Sequence, residues 1–158
     1  VLDCGCGGGA NIRTLLTKCP RGSVSGIDYA AVSVEYSRRV NRKAIEAGRC
    51  TALQASVESL PFEDGSFDAV TAFETVYFWP EPENSFREVR RVLRRGGVFM
   101  ICNECCGDGR GENWENVISG MNVYGGEALR GMLERAGFSG VRLHTNSRGW
   151  LCVPAKNE

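Results

Sequence analysis

The chain has 158 residues, of which 42% are hydrophobic and 24% are charged, a length that suits one domain with a substantial core. Its 19 basic and 19 acidic residues give a formal net charge of zero, which argues against a nucleic-acid partner because such binding depends on a basic surface field. No run of apolar residues reaches the length of a membrane span, and the start lacks the pattern of a secretion signal.

Cysteine is frequent, but its spacing does not indicate a metal site. Most of the cysteines lie in apolar stretches, where a free thiol behaves as a small hydrophobic group. The spacing also lacks the paired C-x-x-C pattern of a zinc site. We therefore expect reduced thiols, no bound metal and a cytoplasmic location. The eight positions are Cys4, Cys6, Cys19, Cys50, Cys102, Cys105, Cys106 and Cys152.

The first ten residues carry the strongest indication of a ligand. Two apolar residues lead to Asp3, glycines follow at positions 5, 7, 8 and 9, and a helix is predicted over 11–17. Glycine lets a ligand approach the backbone, and a helix start offers N–H groups with a partial positive charge. The pattern favours a nucleotide-like ligand but is ambiguous. Gly5, Gly7 and Ala10 match the dinucleotide fingerprint G-x-G-x-x-G/A, whereas Asp3, Gly5, Gly7 and Gly9 match acidic-x-G-x-G-x-G.

Strands and helices alternate along the chain. Strands are predicted over 1–3, 23–28, 51–55, 69–73, 98–102, 141–145 and 150–153, and helices over 11–17, 30–47, 82–95 and 128–136. This alternation predicts an α/β domain with a doubly wound, mostly parallel sheet and helices on both faces. Asp28 ends the second strand, about twenty residues after the glycines, where a carboxylate can bind both ribose hydroxyls. Capping the next helix is its alternative role.

Several segments resemble the class I S-adenosylmethionine-dependent methyltransferases. The acidic-x-G-x-G-x-G pattern resembles their first motif, residues 60–68 resemble the segment before their fourth strand, and residues 85–97 resemble the helix and double glycine before their fifth. The closing helix, residues 136–138 and the final strand pair resemble their C-terminal β-hairpin. The resemblance spans nearly the whole chain and implies one domain over 1–158, with a seven-stranded sheet and an antiparallel C-terminal strand.

The resemblance also implies S-adenosylmethionine as the cofactor. Asp3 and the glycine turn would hold its methionine end, Asp28 its ribose and Tyr29 one face of its adenine. Many members place an aspartate near the adenine amino group where this chain has Ser56, although the Val57 N–H remains suitable. The cofactor residues implied in this way are Asp3, Gly5, Gly7, Gly9, Asp28, Tyr29, Ser56, Val57 and Phe73 through its carbonyl.

An aromatic cluster follows the fourth predicted strand, at the sheet edge where ligands bind in such folds. We expect it to line the acceptor pocket, although core packing is the alternative for each member. Glu74 and Tyr77 are the candidate catalytic groups, with Glu74 as a base or an orienting group, or alternatively as a cap or ion-pair partner. The only histidine, His144, is expected to be structural or exposed. The pocket candidates are Tyr77, Phe78, Trp79, Trp114, Met121 and Tyr124.

Together these features predict an enzyme that transfers a methyl group from S-adenosylmethionine to a small-molecule acceptor by in-line displacement. The alternative is a module that binds the cofactor without turnover. That alternative gains weight because the sequence starts without methionine and inside its first predicted strand. In the family a preceding segment covers the acceptor, so we expect this N-terminal lid and part of strand one to be missing. The acceptor's identity and the oligomeric state stay open, with a homodimer among the options.

Overall fold

The structure, a computed structural model, describes residues 1–104 and 118–158. Within these ranges one sheet contains the strands β1 (Leu2–Cys4), β2 (Val24–Asp28), β3 (Cys50–Gln54), β4 (Phe67–Phe73), β5 (Leu93–Asn103), β6 (His144–Thr145) and β7 (Leu151–Lys156). The helices are α1 (Ala10–Lys18), α2 (Ala31–Val40), α3 (Arg42–Glu46), α4 (Pro82–Val92) and α5 (Gly126–Arg135), with a 3-10 helix over Val76–Phe78. No helix in the described part is long and apolar enough to cross a membrane.

The strand order is β3-β2-β1-β4-β5-β7-β6, which confirms the predicted seven-stranded, doubly wound sheet. Strands β1 to β5 pair in parallel, whereas β7 runs antiparallel to β5 and β6 antiparallel to β7. The chain moves outward from β1 to β3 and then returns to β4 on the other side of β1. The carboxyl ends of β1 and β4 therefore flank a topological switch point, where open α/β sheets bind ligands.

Two hydrophobic clusters anchor the sheet. The larger cluster contains Phe86 from α4 and Phe99 from β5, both fully buried. The smaller cluster holds α1 against the sheet through Ile12. A Cβ on Gly26 would lie 2.5 Å from Ile12 Cδ1, so β2 needs glycine at this position for α1 to pack closely.

Several predicted boundaries are wrong. The helix predicted over 30–47 is two helices that meet at Asn41. The buried Asn41 side chain donates to the carbonyl oxygens of Gly9 and Ser37 at 3.0 Å each, so this residue ties the helix junction to the glycine turn. The helix predicted over 82–95 ends at Val92, and β5 begins at the next residue, Leu93. The strand predicted over 141–145 is reduced to the two residues of β6.

Candidate functional site

The glycine turn between β1 and α1 has a backbone that only glycine adopts without strain. Gly5, Gly7 and Gly9 have φ values of +81°, +48° and +79°, all in the left-handed region. A Cβ on Gly5 would overlap the Thr75 side chain, and one on Gly9 would overlap Asn41. A Cβ on Gly7 would meet no atom within 4 Å. Packing therefore requires glycine at positions 5 and 9, whereas Gly7 leaves space that a ligand can fill.

Asp28 connects this turn to the start of α2. Its Oδ2 accepts from the Gly7 N–H at 2.9 Å and its Oδ1 from the Ala30 N–H at 3.0 Å. Ala30, not Asp28, occupies the N-cap position of α2, so the alternative prediction for Asp28 as the capping residue is wrong. The side chain is only 9% exposed, and these two bonds fix its carboxylate at the carboxyl end of β2.

Asp3 supplies a second, fully buried carboxylate at the end of β1. Its Oδ1 accepts from Thr71 Oγ1 at 2.8 Å, while its buried Oδ2 has no hydrogen-bond partner. Burial raises the pKa of Asp3 to about 6, with a smaller contribution from the nearby Asp28. This unpaired carboxylate oxygen favours a positive charge near the glycine turn, but it has almost no accessible surface, so it can act on a ligand through its charge and not by direct contact.

A cavity of about 650 Å³, here called the nucleotide cavity, opens at the carboxyl ends of β1, β2 and β3, a size typical of small-molecule sites. Tyr29 lies on its wall with 78% of its surface exposed. Ser56 Oγ accepts from the Glu58 N–H at 3.2 Å. The cavity brings together five residues that the family pattern assigns to the cofactor: Gly5, Asp28, Tyr29, Ser56 and Val57.

A second cavity of about 540 Å³ lies beside the first, over the ends of β4 and β5 and against the β6–β7 hairpin. We call it the hairpin cavity. Phe73 lines this cavity and not the nucleotide cavity. Its wall consists of Asn11, Phe73, Glu74, Cys102, Asn103, Glu104, His144, Thr145, Asn146, Trp150, Leu151 and Cys152.

Glu74 lines both cavities. It is the one non-glycine residue of the described chain with positive φ, at +56°, a strained conformation that tends to persist at functional sites. Its carboxylate accepts from the Glu104 N–H at 2.6 Å and from the Tyr77 hydroxyl at 3.2 Å. Burial raises its pKa above the ordinary glutamate value, and these two hydrogen bonds oppose that shift. Two hydrogen bonds thus fix a carboxylate with a raised pKa where the cavities meet.

The predicted acceptor aromatics divide between the core and the nucleotide cavity. Phe78 and Trp79 line the nucleotide cavity, and Trp79 also stacks on Phe99 with ring centroids 6.3 Å apart. Tyr77 and Met121 are buried. Tyr124 is partly buried and packs against the larger core cluster, and Trp114 lies outside the described residues. None of the five described residues lines the hairpin cavity, and the acceptor role of the six stays an untested prediction.

Several residues of the hairpin cavity were not predicted as site residues. The strand register places Phe73 opposite Cys102, Cys102 opposite Cys152 and Cys152 opposite His144. Residues paired in this way project from the same face of a sheet, so these four form one row across the hairpin cavity. Asn103 is 2% exposed, and neither polar atom of its amide has a partner. The row depends on the pairing of β5, β7 and β6, which no local pattern reveals.

Comparison with known families decides between the two interpretations of the glycine pattern. The profile of the methyltransferase domain family matches residues 2–101. The chain belongs to this family. Its fold is that of the class I S-adenosylmethionine-dependent methyltransferases, and the dinucleotide interpretation is set aside.

Relatives and solved structures extend this finding. The chain is 34% identical over 108 residues to cycloartenol-C-24-methyltransferase 1 of Oryza sativa subsp. japonica, covering 68% of this chain and 31% of that protein. It thus spans about a third of the curated relatives it matches. A methyltransferase from Aquifex aeolicus aligns with a TM-score of 0.83 and 22% identity, covering 99% of this chain and 81% of that one. The geranyl diphosphate C-methyltransferase of Streptomyces coelicolor A3(2) was solved with S-adenosyl-L-homocysteine. It aligns with a TM-score of 0.85 and 14% identity, covering 99% of this chain and 69% of that one.

Proposed function

We propose that this chain binds S-adenosylmethionine in the nucleotide cavity and transfers its methyl group to a small-molecule acceptor bound in the hairpin cavity. The observation that carries the proposal is the position of Glu74, which lines both cavities at the carboxyl end of β4. Two ligands that fill adjoining cavities meet at this residue. Such an arrangement is what a transfer between two bound molecules requires.

The proposed cofactor site uses groups that are already positioned. Asp28, fixed by the Gly7 and Ala30 N–H groups, would bind the ribose hydroxyls. Tyr29 is free to lie against the adenine because most of its surface is exposed. Asp3 and the glycine turn would hold the methionine end, where the space beside Gly7 and the unsatisfied Asp3 oxygen favour a cationic group.

When bound, S-adenosylmethionine supplies a methyl group on a positively charged sulfur, which a nucleophile displaces in line. The protein's contribution is then mainly to hold two reactants in line and to exclude water. Holding reactants in this way lowers a barrier by up to about 7–11 kcal/mol in favourable cases. No metal cluster is found among the described residues, and the proposal requires none.

Glu74 is the proposed base or orienting group for the acceptor. Its carboxylate is fixed by Tyr77 and the Glu104 N–H, and its raised pKa makes it a better proton acceptor than an exposed glutamate. A hydroxyl or amine placed at Glu74 would lose its proton to the carboxylate as its oxygen or nitrogen bonds to the methyl carbon. An alkene carbon that accepts the methyl group would become a cation and would then lose a C–H proton to the same carboxylate.

The walls of the hairpin cavity favour a largely apolar acceptor with one polar end. Phe73, Trp150 and Leu151 supply apolar surface, while Glu74, Asn103 and His144 supply polar groups. The methyltransferases similar to this chain have names that refer to cycloartenol, 24-methylenesterol and geranyl diphosphate. Isoprenoid alcohols and sterols are therefore the first acceptors to test, with phenols and amines as a second group.

Two measurements on the same protein distinguish the proposed methyl transfer from the alternative function, which is binding of the cofactor without turnover. Isothermal titration with S-adenosylmethionine measures binding, and formation of S-adenosylhomocysteine with each acceptor measures transfer. We expect both to be positive, with transfer reduced about 100-fold or more in Glu74→Gln if Glu74 is the base. Binding without transfer to any acceptor class would favour the binding module, and absence of binding would contradict the proposal.

A further inference from the structure

Two thiols face each other across the hairpin cavity. Cys102 of β5 and Cys152 of β7 are directly paired in the antiparallel register, and their sulfurs are 3.4 Å apart. Both residues are half-buried and line the cavity, so a small solute can reach them. No other pair of sulfurs among the described cysteines is in hydrogen-bonding contact.

The backbone pairing shows that these strands approach closely at the two cysteines. Lys156 exchanges backbone hydrogen bonds with Ser139 at 2.8 and 2.9 Å, and Pro154 O accepts from the Arg142 N–H at 3.1 Å. The backbone groups of alternate residues point to the same side of a strand. Cys152 therefore also turns its N–H and C=O away from β5, and its pairing with Cys102 is of the non-hydrogen-bonded kind.

Non-hydrogen-bonded pairs are the closer of the two kinds, with Cα atoms about 4.5 Å apart. Disulfides span Cα separations of about 4.4–6.8 Å, and their sulfurs lie about 2.05 Å apart. The two sulfurs here would have to approach by only about 1.4 Å. The strands can therefore accept the bond with little movement of the backbone.

We propose that Cys102 and Cys152 form an oxidative modification site at which a peroxide converts the two thiols into a disulfide. One thiolate attacks a peroxide oxygen, which forms a sulfenic acid and releases water after proton transfer. The second thiol gives up its proton, its thiolate attacks the sulfenic sulfur, and the S–S bond forms as the S–O bond breaks. The hydroxide that leaves takes up that proton and becomes the second water. Overall, two thiols and one hydrogen peroxide give one disulfide and two waters; the sulfurs are oxidised and the peroxide is reduced.

The bond fixes the hairpin wall of the cavity to the end of β5, beside Phe73 and Glu74. It closes a loop of roughly 50 residues, long enough for a clear stabilisation of the folded state. Burial raises the pKa of the Cys102 thiol to about 12, so we expect a slow reaction that requires sustained oxidation rather than a rapid sensor.

The test is peptide mapping by mass spectrometry after treatment of the whole chain with hydrogen peroxide and alkylation of the remaining thiols. We expect the Cys102 and Cys152 peptides to be linked, with the link reversed by dithiothreitol. Cys50→Ser, a matched control on β3, should keep the link. Cys152→Ser should lose it and leave Cys102 as a sulfinic or sulfonic acid. Oxidation should raise the unfolding temperature by several degrees in the wild type but not in Cys152→Ser.

Three results would overturn the proposal. These are linkage of Cys102 to a different cysteine, over-oxidation of both thiols without a link, or no link at peroxide levels that fully oxidise Cys19. None of these readouts uses cofactor binding or methyl transfer, so this site is tested independently of the proposed function. The nucleotide cavity lies on other strands, and we expect S-adenosylhomocysteine affinity to change less than twofold on oxidation.

Discussion

At the scale of single residues, the three motif glycines have different roles, although their backbone conformations are similar. Gly7→Ala places a methyl group in open space, and it lowers the free energy of unfolding by about 1 kcal/mol because alanine is strained at the positive φ of this position. Gly9→Ala also forces a methyl group into Asn41 and Ser37, which adds about 1–3 kcal/mol. We therefore expect Gly7→Ala to fold but to bind S-adenosylhomocysteine at least tenfold more weakly. Thermal unfolding measures the stability of the two variants, and titration calorimetry measures their affinity for S-adenosylhomocysteine. Equal destabilisation of Gly7→Ala and Gly9→Ala would contradict the different roles given to these glycines.

Asp3 gives a prediction on the pH dependence of stability. Its pKa is raised to about 6 in the folded chain from an ordinary 3.8, so the folded state favours the neutral carboxyl. The stabilisation that the folded state gains from the neutral Asp3 carboxyl is complete at pH values below the ordinary pKa of 3.8, and it is lost as the pH rises through about 6. Asp3→Asn stays neutral and keeps an acceptor for Thr71. We expect it to be more stable than the wild type by about 1–3 kcal/mol above pH 7, with the difference vanishing near pH 4.

Denaturant unfolding at several pH values measures this effect. If the proposed cofactor site is right, cofactor affinity should also fall in this variant, because the variant lacks the buried negative charge beside the glycine turn. A variant less stable than the wild type at every pH would show that Asp3 is required for packing rather than for binding.

Glu74 gives the corresponding prediction for activity. If it accepts a proton from the acceptor, only its ionised form is active, and the rate rises with pH as Glu74 loses its proton. Because burial raises its pKa, this rise is expected above the ordinary range for glutamate. Glu74→Gln should remove the rise while S-adenosylhomocysteine affinity changes less than twofold. A pH profile of kcat that is unchanged in Glu74→Gln would exclude this role.

At the scale of elements, the Arg91 guanidinium makes several of the bonds that hold the crossing from β3 to β4 against α4, together with Glu88, which accepts from the Leu60 N–H. Arg91 donates to Asp64 Oδ1 at 2.7 Å, to Phe62 O at 2.8 Å and to Leu60 O at 3.0 Å, and it pairs with Glu88. The crossing begins at Ser56 and Val57 on the wall of the nucleotide cavity. The planar Arg91 side chain, through its several hydrogen bonds, therefore links the position of α4 to the wall of the nucleotide cavity.

Replacing Arg91 should destabilise the fold, whereas the same replacement at Arg87, one turn earlier on α4, should have little effect on stability. Arg91→Lys loses the fork geometry, and we expect a loss of about 1–2 kcal/mol and a fall of about 2–8 °C in Tm. Arg87→Lys is the matched control. Arg87 donates to Asn84 and pairs with Glu83 on an exposed face, so this substitution should change stability by less than about 0.5 kcal/mol. Similar Tm values for the two variants would contradict this role of Arg91.

The elements themselves were largely predictable from the sequence. Short apolar runs separated by glycine-containing turns located all seven strands, and the alternation of these strands with helices indicated the doubly wound sheet. The errors arise where a tertiary contact overrides the local pattern. Asn41 breaks a continuous helical pattern because its amide bonds the Gly9 carbonyl, and β5 extends back to Leu93 because that residue pairs with Phe67.

At the scale of the whole molecule, the two halves of the site differ in how far the sequence reveals them. The nucleotide cavity draws on the glycine turn after β1 and the end of β2 at Asp28, which appear in the sequence as a spaced motif, and also on the segments that follow β3 and β4. The hairpin cavity is assembled from β4, β5, β6 and β7, which are distant in sequence. His144 and Cys152 reach it only through strand register, and a lone histidine in a short late strand gave no reason to expect this.

The proposed function requires that S-adenosylmethionine bind in the nucleotide cavity, and titration calorimetry with its demethylated product, S-adenosylhomocysteine, measures this binding. We predict one site in the wild type and in Glu46→Gln, which removes only an exposed ion pair with Arg42. Asp28→Ala should weaken binding at least tenfold, about 1.4 kcal/mol or more, while the chain stays folded by circular dichroism. If S-adenosylhomocysteine bound Asp28→Ala as tightly as the wild type, or bound neither protein, the nucleotide cavity would not be the cofactor site.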